Sequence, residues 1–477
     1  TPQFGTAVVA PRTAYAVASA RQEFGDDAST VSGMLTAVRR DVAAGSALGD
    51  LLPRTAYSGY LDGRLRWAGG KYDMGASAGF TDVRGDSAAI LRLQRSSRRY
   101  YQRPDADHVD VQAERRAMGG TKMGINHSKL AGKHWLWDFR YFQESPGFEP
   151  NDAGAFGAVD NRGMFARLRW RETQPSRWYR RYDTGVGVEN GWNFDGLHHS
   201  AENFVFFNLT FPNFWRLNSD LTYTPRVFDD RLTRGGPVMG TARSAGWSLE
   251  LQNRSGARNG WGIDMGGRSD ENGGWEQWIE LSFDARPSDR LELSFDPEWG
   301  RGTDARQFLT TEPNGRPETF FTRYIFAKVD LSELSARFRL NYTFTPNLTL
   351  ETYAQPFAAS GRYRGFGEMA LPRHRELHVY GTGGSTIVAN PDGSHTVTAD
   401  GQTFDIDSED FNERSLRTNV VLRWEWRLGS TLYLVWQQDR SGERPIATAR
   451  PGDLLDAFDT RGDNFLALKV SYWFTPR

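Results

Sequence analysis

The chain has 477 residues, a formal net charge of −1 and no cysteine. A balance this close to neutral gives no support for a nucleic-acid or polyanion binder. The lack of cysteine excludes disulfide frameworks, thiolate metal sites and a thiol nucleophile. Mean hydropathy is −0.61, and no apolar run approaches the ~20 residues a membrane helix needs.

In its favour as a β protein with many turns, the chain is 13% aromatic and carries 50 glycines. It opens at Thr1 with neither Met nor a signal-like segment, so a mature form or a fragment is expected. In chain order, compact turns fall at GDDAS near Asp26, AGGK near Gly69, LAGK near Gly132 and TQPS near Pro175. They continue with FPNFW near Pro212, NRSGARN near Gly256, RPSD near Pro287, TPN at Pro346 and LGS at Gly429. Long polar stretches interleave with them at 83–118, 144–158, 227–241, 357–414 and 439–463. Alternation of short and long connections is what a meander gives when all its short turns share one end.

Between the turns the period is two. Met164, Ala166, Leu168 and Trp170 alternate with Phe165, Arg167 and Arg169. Leu334, Ala336, Phe338, Leu340 and Tyr342 alternate with Ser335, Arg337, Arg339 and Asn341. Val420, Leu422, Trp424 and Trp426 alternate with Val421, Arg423 and Glu425, and Leu466, Leu468, Val470, Tyr472 and Phe474 with Ala467, Lys469 and Ser471. Each segment reads as a strand with one apolar face. The exception is 87–103, which reads as a helix.

Parity adds a constraint. RPSD and TPN belong at the same end, so an even number of strands separates them. Segments 291–295, 321–331 and 334–344 supply three; a short strand at 307–311, with PNGR (313–316) as its turn, supplies the fourth. The total is then about 21, and because single-chain bacterial barrels normally have an even count, at least one further strand is expected before Thr1, for 22 or more in all.

A soluble sandwich would also alternate apolar and polar residues. Three features favour a barrel in lipid. The polar faces carry arginine and glutamate on consecutive strands, Trp and Tyr gather toward strand ends, and no second apolar layer exists to cover so many one-faced strands. Lipid covers the apolar face, and closure of the sheet pairs the backbone. The expected fold class is therefore all-β: one large antiparallel transmembrane β-barrel domain over 1–477. Its short turns would be periplasmic and its long loops, 83–118 and 357–414 above all, extracellular, in a bacterial outer membrane. Trp170, Trp424, Trp426, Trp436, Tyr472 and Phe474 are the expected membrane girdle.

Segments 340–357 (LNYTFTPNLTLETYAQPF), 416–436 (LRTNVVLRWEWRLGSTLYLVW), 464–474 (NFLALKVSYWF) and 88–107 (AAILRLQRSSRRYYQRPDAD) resemble an uncharacterised family of large bacterial outer-membrane barrels, domain of unknown function 5916. In that family the barrel usually follows a carbohydrate-binding module of the family-nine type, which implies a glycan-related substrate. The terminal strand closing on Phe474 is similar to those that barrel-assembly machinery reads, although Thr475, Pro476 and Arg477 follow the aromatic.

Candidate sites are few. On a helix, Arg92, Arg95 and Arg99 would share one face, flanked by Arg98 and Arg103, with Ile90, Leu91 and Leu93 pinning the other side. In a loop folded inward they would offer the lumen a positive patch suited to carboxylate or phosphate; the plainer reading is a solvated helix or arginines paired with lumenal carboxylates. His374 and His378 in HRELH would hold a metal only on a helix, and the glutamate is not placed as in HExxH, so no metal and no cofactor is expected. His198 and His199 are weaker. The acidic run Asp405, Asp407, Glu409, Asp410 and Glu413 lacks EF-hand spacing and reads as solvated loop, and NPDG (390–393) as a tight turn within it.

The leading function is a channel or transporter-like barrel plugged or gated by inward loops. The alternatives are an anchor or receptor barrel presenting its loops, and a barrel-embedded hydrolase, for which no G-x-S-x-G elbow or converging Ser/His pair is evident. Expected partners are outer-membrane lipid, the barrel-assembly machinery through the last strand, and surface or periplasmic proteins, with no nucleic acid.

Overall fold

A computed structural model describes residues 9–150, 157–253, 256, 258–444 and 448–474. Strands β1 (Arg12–Phe24), β2 (Ser29–Asp41), β3 (Thr55–Trp67), β4 (Tyr72–Arg84) and β5 (Ala117–Lys129) open a meander. It continues through β6 (Trp135–Glu144), β7 (Asn161–Glu172), β8 (Arg181–Trp192), β9 (His198–Thr210) and β10 (Arg216–Thr224). Two-residue strands β11 (Phe228–Asp229) and β12 (Met239–Gly240) lie in the next loop. The wall resumes with β13 (Ser244–Gln252), β14 (Asn259–Asp270), β15 (Trp275–Ser288), β16 (Leu291–Pro313), β17 (Thr322–Thr345) and β18 (Leu348–Met369). After β19 (Leu377–Val379), a separate sheet of β20 (Thr386–Ala389), β21 (His395–Ala399) and β22 (Gln402–Ile406) precedes the last wall strands β23 (Phe411–Arg427), β24 (Ser430–Glu443) and β25 (Gly462–Ser471). Helices α1 (Ala47–Leu51), α2 (Ser87–Arg95) and α3 (Pro451–Asp456) all lie in connections at the long-loop end.

The main sheet has 20 strands, all antiparallel and paired in chain order apart from the short appended β19. The seam between β1 and β25 is unpaired among the described residues. Cross-strand rows carry the alternation around the wall: Leu350 stands opposite Leu422, Leu422 opposite Leu434, and Leu434 opposite Leu468. These residues lie on one face, and that face is bare. Leu35, Leu61, Leu221, Leu466 and Leu468 are each 59–68% exposed. An apolar side chain left half uncovered forgoes on the order of 1 kcal/mol. Ten such residues forgo about 10 kcal/mol, the size of a whole domain's net stability. The face is therefore built for lipid, and the fold is a transmembrane β-barrel.

Contacts between distant loops require the sheet to curl. Arg103, between β4 and β5, bonds Asp230, between β10 and β13. Six strands separate those connections, so at ~4.8 Å per strand a flat sheet would root them about 25 Å or more apart. The amide of Arg373, beyond β18, in turn donates to Val238 O in the 225–243 loop.

One expectation is corrected. Segment 307–311 is a strand, but it is the far half of β16, and 321–331 and 334–344 together form β17. Parity between RPSD and TPN is met by two long strands rather than four. PNGR turns the chain at the opposite end from the one expected, with Asn314 in the left-handed region at φ 60°. The intervening 296–304 reads as a loop because it is rich in charge and glycine, yet it pairs in register with β17, and bulges near Asp304 and Phe308 absorb the misfit.

A strand of 23 residues spans roughly 75 Å at ~3.3 Å per residue, while ~10 residues cross a membrane. The far halves of β16–β18 therefore project beyond the lipid-facing zone. Toward their tips both faces are covered: Ile325 and Ala327 pack under Val397 and Ile406 of the small sheet, and Tyr324 and Phe326 against Met239 and Leu232. The long loops are correspondingly shorter than expected, since β4 runs to Arg84 and β18 to Met369. NPDG closes the β20–β21 hairpin, with the Gly393 amide donating to Asn390 O at 3.0 Å.

Candidate functional site: loops tied across a charged lumen

The concave face carries most of the charged side chains of the wall. Cross-strand pairs neutralise much of it: Arg64 and Arg66 on Asp73, Arg167 on Asp138 at 2.8 Å, Arg171 on Asp183 at 2.7 Å, and Lys122 on Glu144 at 2.6 Å. Aromatic rings lie among the charges. Arg140 stacks over Phe165 at 4.6 Å from the ring centre. Glycine makes room for them, since a Cβ at Gly187 would sit 2.1 Å from the Phe204 ring.

Helix α2 lies against this concave face. Ile90 and Leu93 pack on Val38, Ala56, Val83 and Met118, four side chains that form a single row across β2–β5. Arg92 and Arg95 are exposed on the helix, with Arg92 donating to Leu51 O at 3.4 Å. The helix stops there: the Ser96 amide closes on Leu93 O, so Arg98 and Arg99 lie past its end and the expected arginine face breaks after two residues. Arg98 is half-buried, and its carbonyl accepts from the Val159 amide at 3.3 Å.

Arg99 is buried. Its guanidinium pairs with Glu149 at 2.9 Å and donates to Phe148 O at 2.6 Å and Pro146 O at 3.3 Å. Burial lowers its pKa against the pull of Glu149. It clamps the 145–150 loop to α2's connection and presents no face to an open lumen.

Arg103, expected only as a flank, is the centre of the assembly. Its side chain is 2% exposed and donates to Asp230 and, at 3.4 Å, to Asp160. Asp160 also meets His108 at 2.7 Å and accepts from the Phe194 amide at 2.9 Å, and Asn193 reaches Asp230 at 3.4 Å. Burial alone would raise the Asp160 pKa; the hydrogen bonds from His108 and Phe194 and the charges of His108 and Arg103 carry it below the ordinary value. Arg231 adds bonds to Ser97 O at 3.0 Å and Val159 O at 2.9 Å. Four connections of the wall thus meet on one buried cation.

A second knot joins 225–243 to the β14–β15 turn and the 370–376 segment. Glu271 takes two bonds from Arg226, at 2.5 and 2.6 Å, and lies 3.2 Å from Arg243 and 3.6 Å from Arg375. Chiefly through the Arg226 hydrogen bond, its pKa is held at about 2.

His374 and His378 do not share a helical turn. Arg373 bends the chain at φ 64° and His378 follows in extended β19. Both rings are exposed, so the geometry that would let them hold a metal is not formed. No cluster of three or more potential ligands occurs among the described residues. His198 and His199 are taken by Asn190 and Asn161 at 3.0 and 3.2 Å. In the acidic run, Asp405 accepts from Thr396 and Asp410 from the Tyr363 amide.

The aromatic residues expected to meet the membrane interface lie at the short-turn end, except Trp436, which sits mid-strand and donates to Asn464 at 3.1 Å. Trp170 stacks on His134 at 4.3 Å, Trp424 faces Trp426 at 6.3 Å, and Tyr472 faces Phe474 at 5.1 Å. More aromatics join them at this end than the sequence reading named, including Trp67 with Tyr72, Trp215 with Trp261, and Tyr342 with Phe344. The three residues after Phe474 lie outside the described ones.

Wall and loops together define a class: a large transmembrane β-barrel whose own connections are tied across its concave, charged interior. The chain belongs to the family described as Domain of unknown function (DUF5916), whose model matches residues 79–475. No relative among curated proteins matches it. Among solved structures, it is similar to the FrpB iron transporter from Neisseria meningitidis, with 10% identity, a TM-score of 0.41, and coverage of 90% of this chain and 75% of that one. The siderophore receptor PirA from Acinetobacter baumannii shares 9% identity at a TM-score of 0.37, with 98% and 74% covered. The anion-selective porin from Comamonas acidovorans shares 9% at 0.26, with 62% and 91% covered.

Proposed function

We propose that this chain is an outer-membrane barrel that passes a solute through a lumen kept shut by its own loops. The short turns face the periplasm and the long connections the outside. The observation that carries the reading is the placement of α2 and its connection: apolar residues seat the helix on the concave wall, and Arg103 ties that connection to loops rooted several strands away. A wide barrel without such a closure would leak. Arg92 and Arg95, exposed on α2 beyond the pinned side, are cations suited to an anionic solute. The test is solute flux into liposomes holding the full chain with Arg103→Met, the change that should open the loops, with and without Arg92→Ala and Arg95→Ala. Flux of small carboxylates that falls in the double variant supports the reading; no flux of any solute from either protein overturns it.

One observation favours a second reading, a receptor or anchor. The projecting halves of β16–β18, with the sheet β20–β22 packed on them, form a folded unit beyond the lipid-facing zone. Binding of a surface partner that survives complete closure of the lumen would favour this role.

A further inference from the structure

The lipid-facing side of β15–β18 changes character abruptly toward the loops. Outward residues of β16 run Leu291, Leu293, Phe295, Pro297 and Trp299, and then Arg301 and Thr303. Strand pairing carries the boundary sideways: Trp299 stands opposite Leu334 and Leu334 opposite Ala358, whereas Thr303 stands opposite Asp330 and Asp330 opposite Arg362. Leu291 to Trp299 covers roughly 26 Å of strand at ~3.3 Å per residue, close to the ~25 Å apolar band of an outer-membrane barrel. The arginines begin where that band ends.

At this level a cleft of about 670 Å³ opens on the outer face, lined by Trp275, Arg301, Arg362, Arg364 and Arg450 together with Asp330 and Asp410. It is a built site. Ser332 donates to Ala449 O at 3.4 Å and the Ala449 amide donates to Ser360 at 3.0 Å, which staples the 448–456 flap over the wall. Ala449 and Leu454 pack there on Leu334 and Ala358.

Both aspartates are already engaged. Asp330 takes two bonds from Arg364, at 2.6 and 2.9 Å, and one from Thr303 at 2.6 Å. Asp410 accepts from the Tyr363 amide at 2.5 Å. Arg301, Arg362 and Arg450 are exposed and make no ion pair among the described residues. Four arginines against two aspartates leave a formal charge of +2 beside the lipid boundary. On the flap and just past it, Leu455 and Phe458 are 72% and 47% exposed.

We propose that this cleft binds the phosphorylated headgroup of a lipid in the adjoining leaflet. Arg301 and Arg362 fork onto the phosphate, Trp275 lies against the headgroup, and the acyl chains follow Trp299 and the exposed flap residues. Guanidinium forks suit phosphate oxygens, and clustered cations at a membrane surface select anionic lipid. The inference rests on the membrane reading above.

The test places the full chain in phosphatidylcholine nanodiscs doped with diphosphorylated lipid A or its dephosphorylated counterpart, and counts retained lipid by native mass spectrometry. Wild type should retain the phosphorylated lipid, and Arg301→Glu with Arg362→Glu should retain at least about tenfold less. Equal retention by both proteins, or of both lipids, overturns the proposal. Displacement by excess inorganic phosphate with no preference for lipid assigns the cleft to a free anion and overturns the lipid source. A wild-type chain that fails to enter the nanodisc brings down the membrane reading, and this inference with it, which is a separable outcome because insertion is read first.

Discussion

Replacing Arg103 with methionine should open the loops while leaving the wall intact. The guanidinium and the Asp160 carboxyl are each 2% exposed and the Asp230 carboxyl 7%. Removing the cation leaves two buried acids to their remaining partners, His108 and the Phe194 amide for Asp160, Asn193 and Arg231 for Asp230. Breaking a buried pair from one side typically costs about 3–5 kcal/mol, and since ~1.4 kcal/mol is a factor of ten, the closed-to-open ratio of the loops should fall by roughly 10² to 10⁴. The wall does not share the cost, because its ladder lies elsewhere and lipid covers its face. The chain has no cysteine, so a single Ser77→Cys, on the concave face of β4 beneath the loops, makes a clean reporter. Its labelling by a membrane-impermeant maleimide from the loop side should accelerate by about that factor in Arg103→Met. Asp230→Asn in the same chain should recover part of the loss by removing one of those buried charges. An unchanged labelling rate, or loss of the whole barrel in one transition, would refute the reasoning.

Acid should loosen the second knot. The Glu271 carboxyl, about 2 in the folded state against an ordinary 4.5, contributes stability that is complete above 4.5 and is lost as pH falls from there through 2. Asp160 is shifted the same way, so lumen accessibility of Ser77→Cys to a thiosulfonate reagent should rise as pH drops below 4.5. Gly187→Val should destabilise the wall by about 1–3 kcal/mol in denaturant unfolding, since the added Cβ meets the Phe204 ring at 2.1 Å; a further Phe204→Ala should restore most of it, and additive losses would contradict the overlap. Leu468→Arg, on the bare face of β25, should cost about 2–4 kcal/mol in a bilayer and far less in a detergent with a charged headgroup; an equal cost in both would place that residue away from lipid.

The wall was legible in the residues because lipid imposes a strict rule. Wherever one face meets hydrocarbon and the other the lumen, the period is two, as from Val420 to Trp426. Where the rule lapses, legibility lapses. Residues 296–304 of β16 pass out of the lipid zone, and with both faces then meeting water or loops, nothing demands alternation. Two strands consequently looked like four.

The Arg92, Arg95 and Arg99 face failed for a local reason. Ser96 and Ser97 stop the helix, a signal present in the sequence that the arginine spacing overshadowed. The Arg103 cluster had no local signal. Its acids lie 57 and 127 residues away, brought near only by the curl of the sheet, and no spacing within one segment encodes that.

Wall and loops are stabilised by different means, and this separation is what a gated barrel needs. The wall rests on a ladder that runs unbroken from β1 to β25 with lipid as its outer layer, so opening it means breaking many backbone bonds together. The mouth rests on small apolar clusters, such as Ile90 and Leu93 against Val38, on the buried ions around Arg103 and on the partly exposed ions around Glu271. Those ions hold geometry firmly when all are present, yet they contribute little net stability, because desolvation offsets most of the attraction. A ligand, a partner or a proton that competes for one of the carboxylates therefore has only a few kcal/mol to supply. The same change cannot disturb the wall, with which those carboxylates share no ladder bond. Closure built from ions over a wall built from hydrogen bonds can switch without unfolding the barrel.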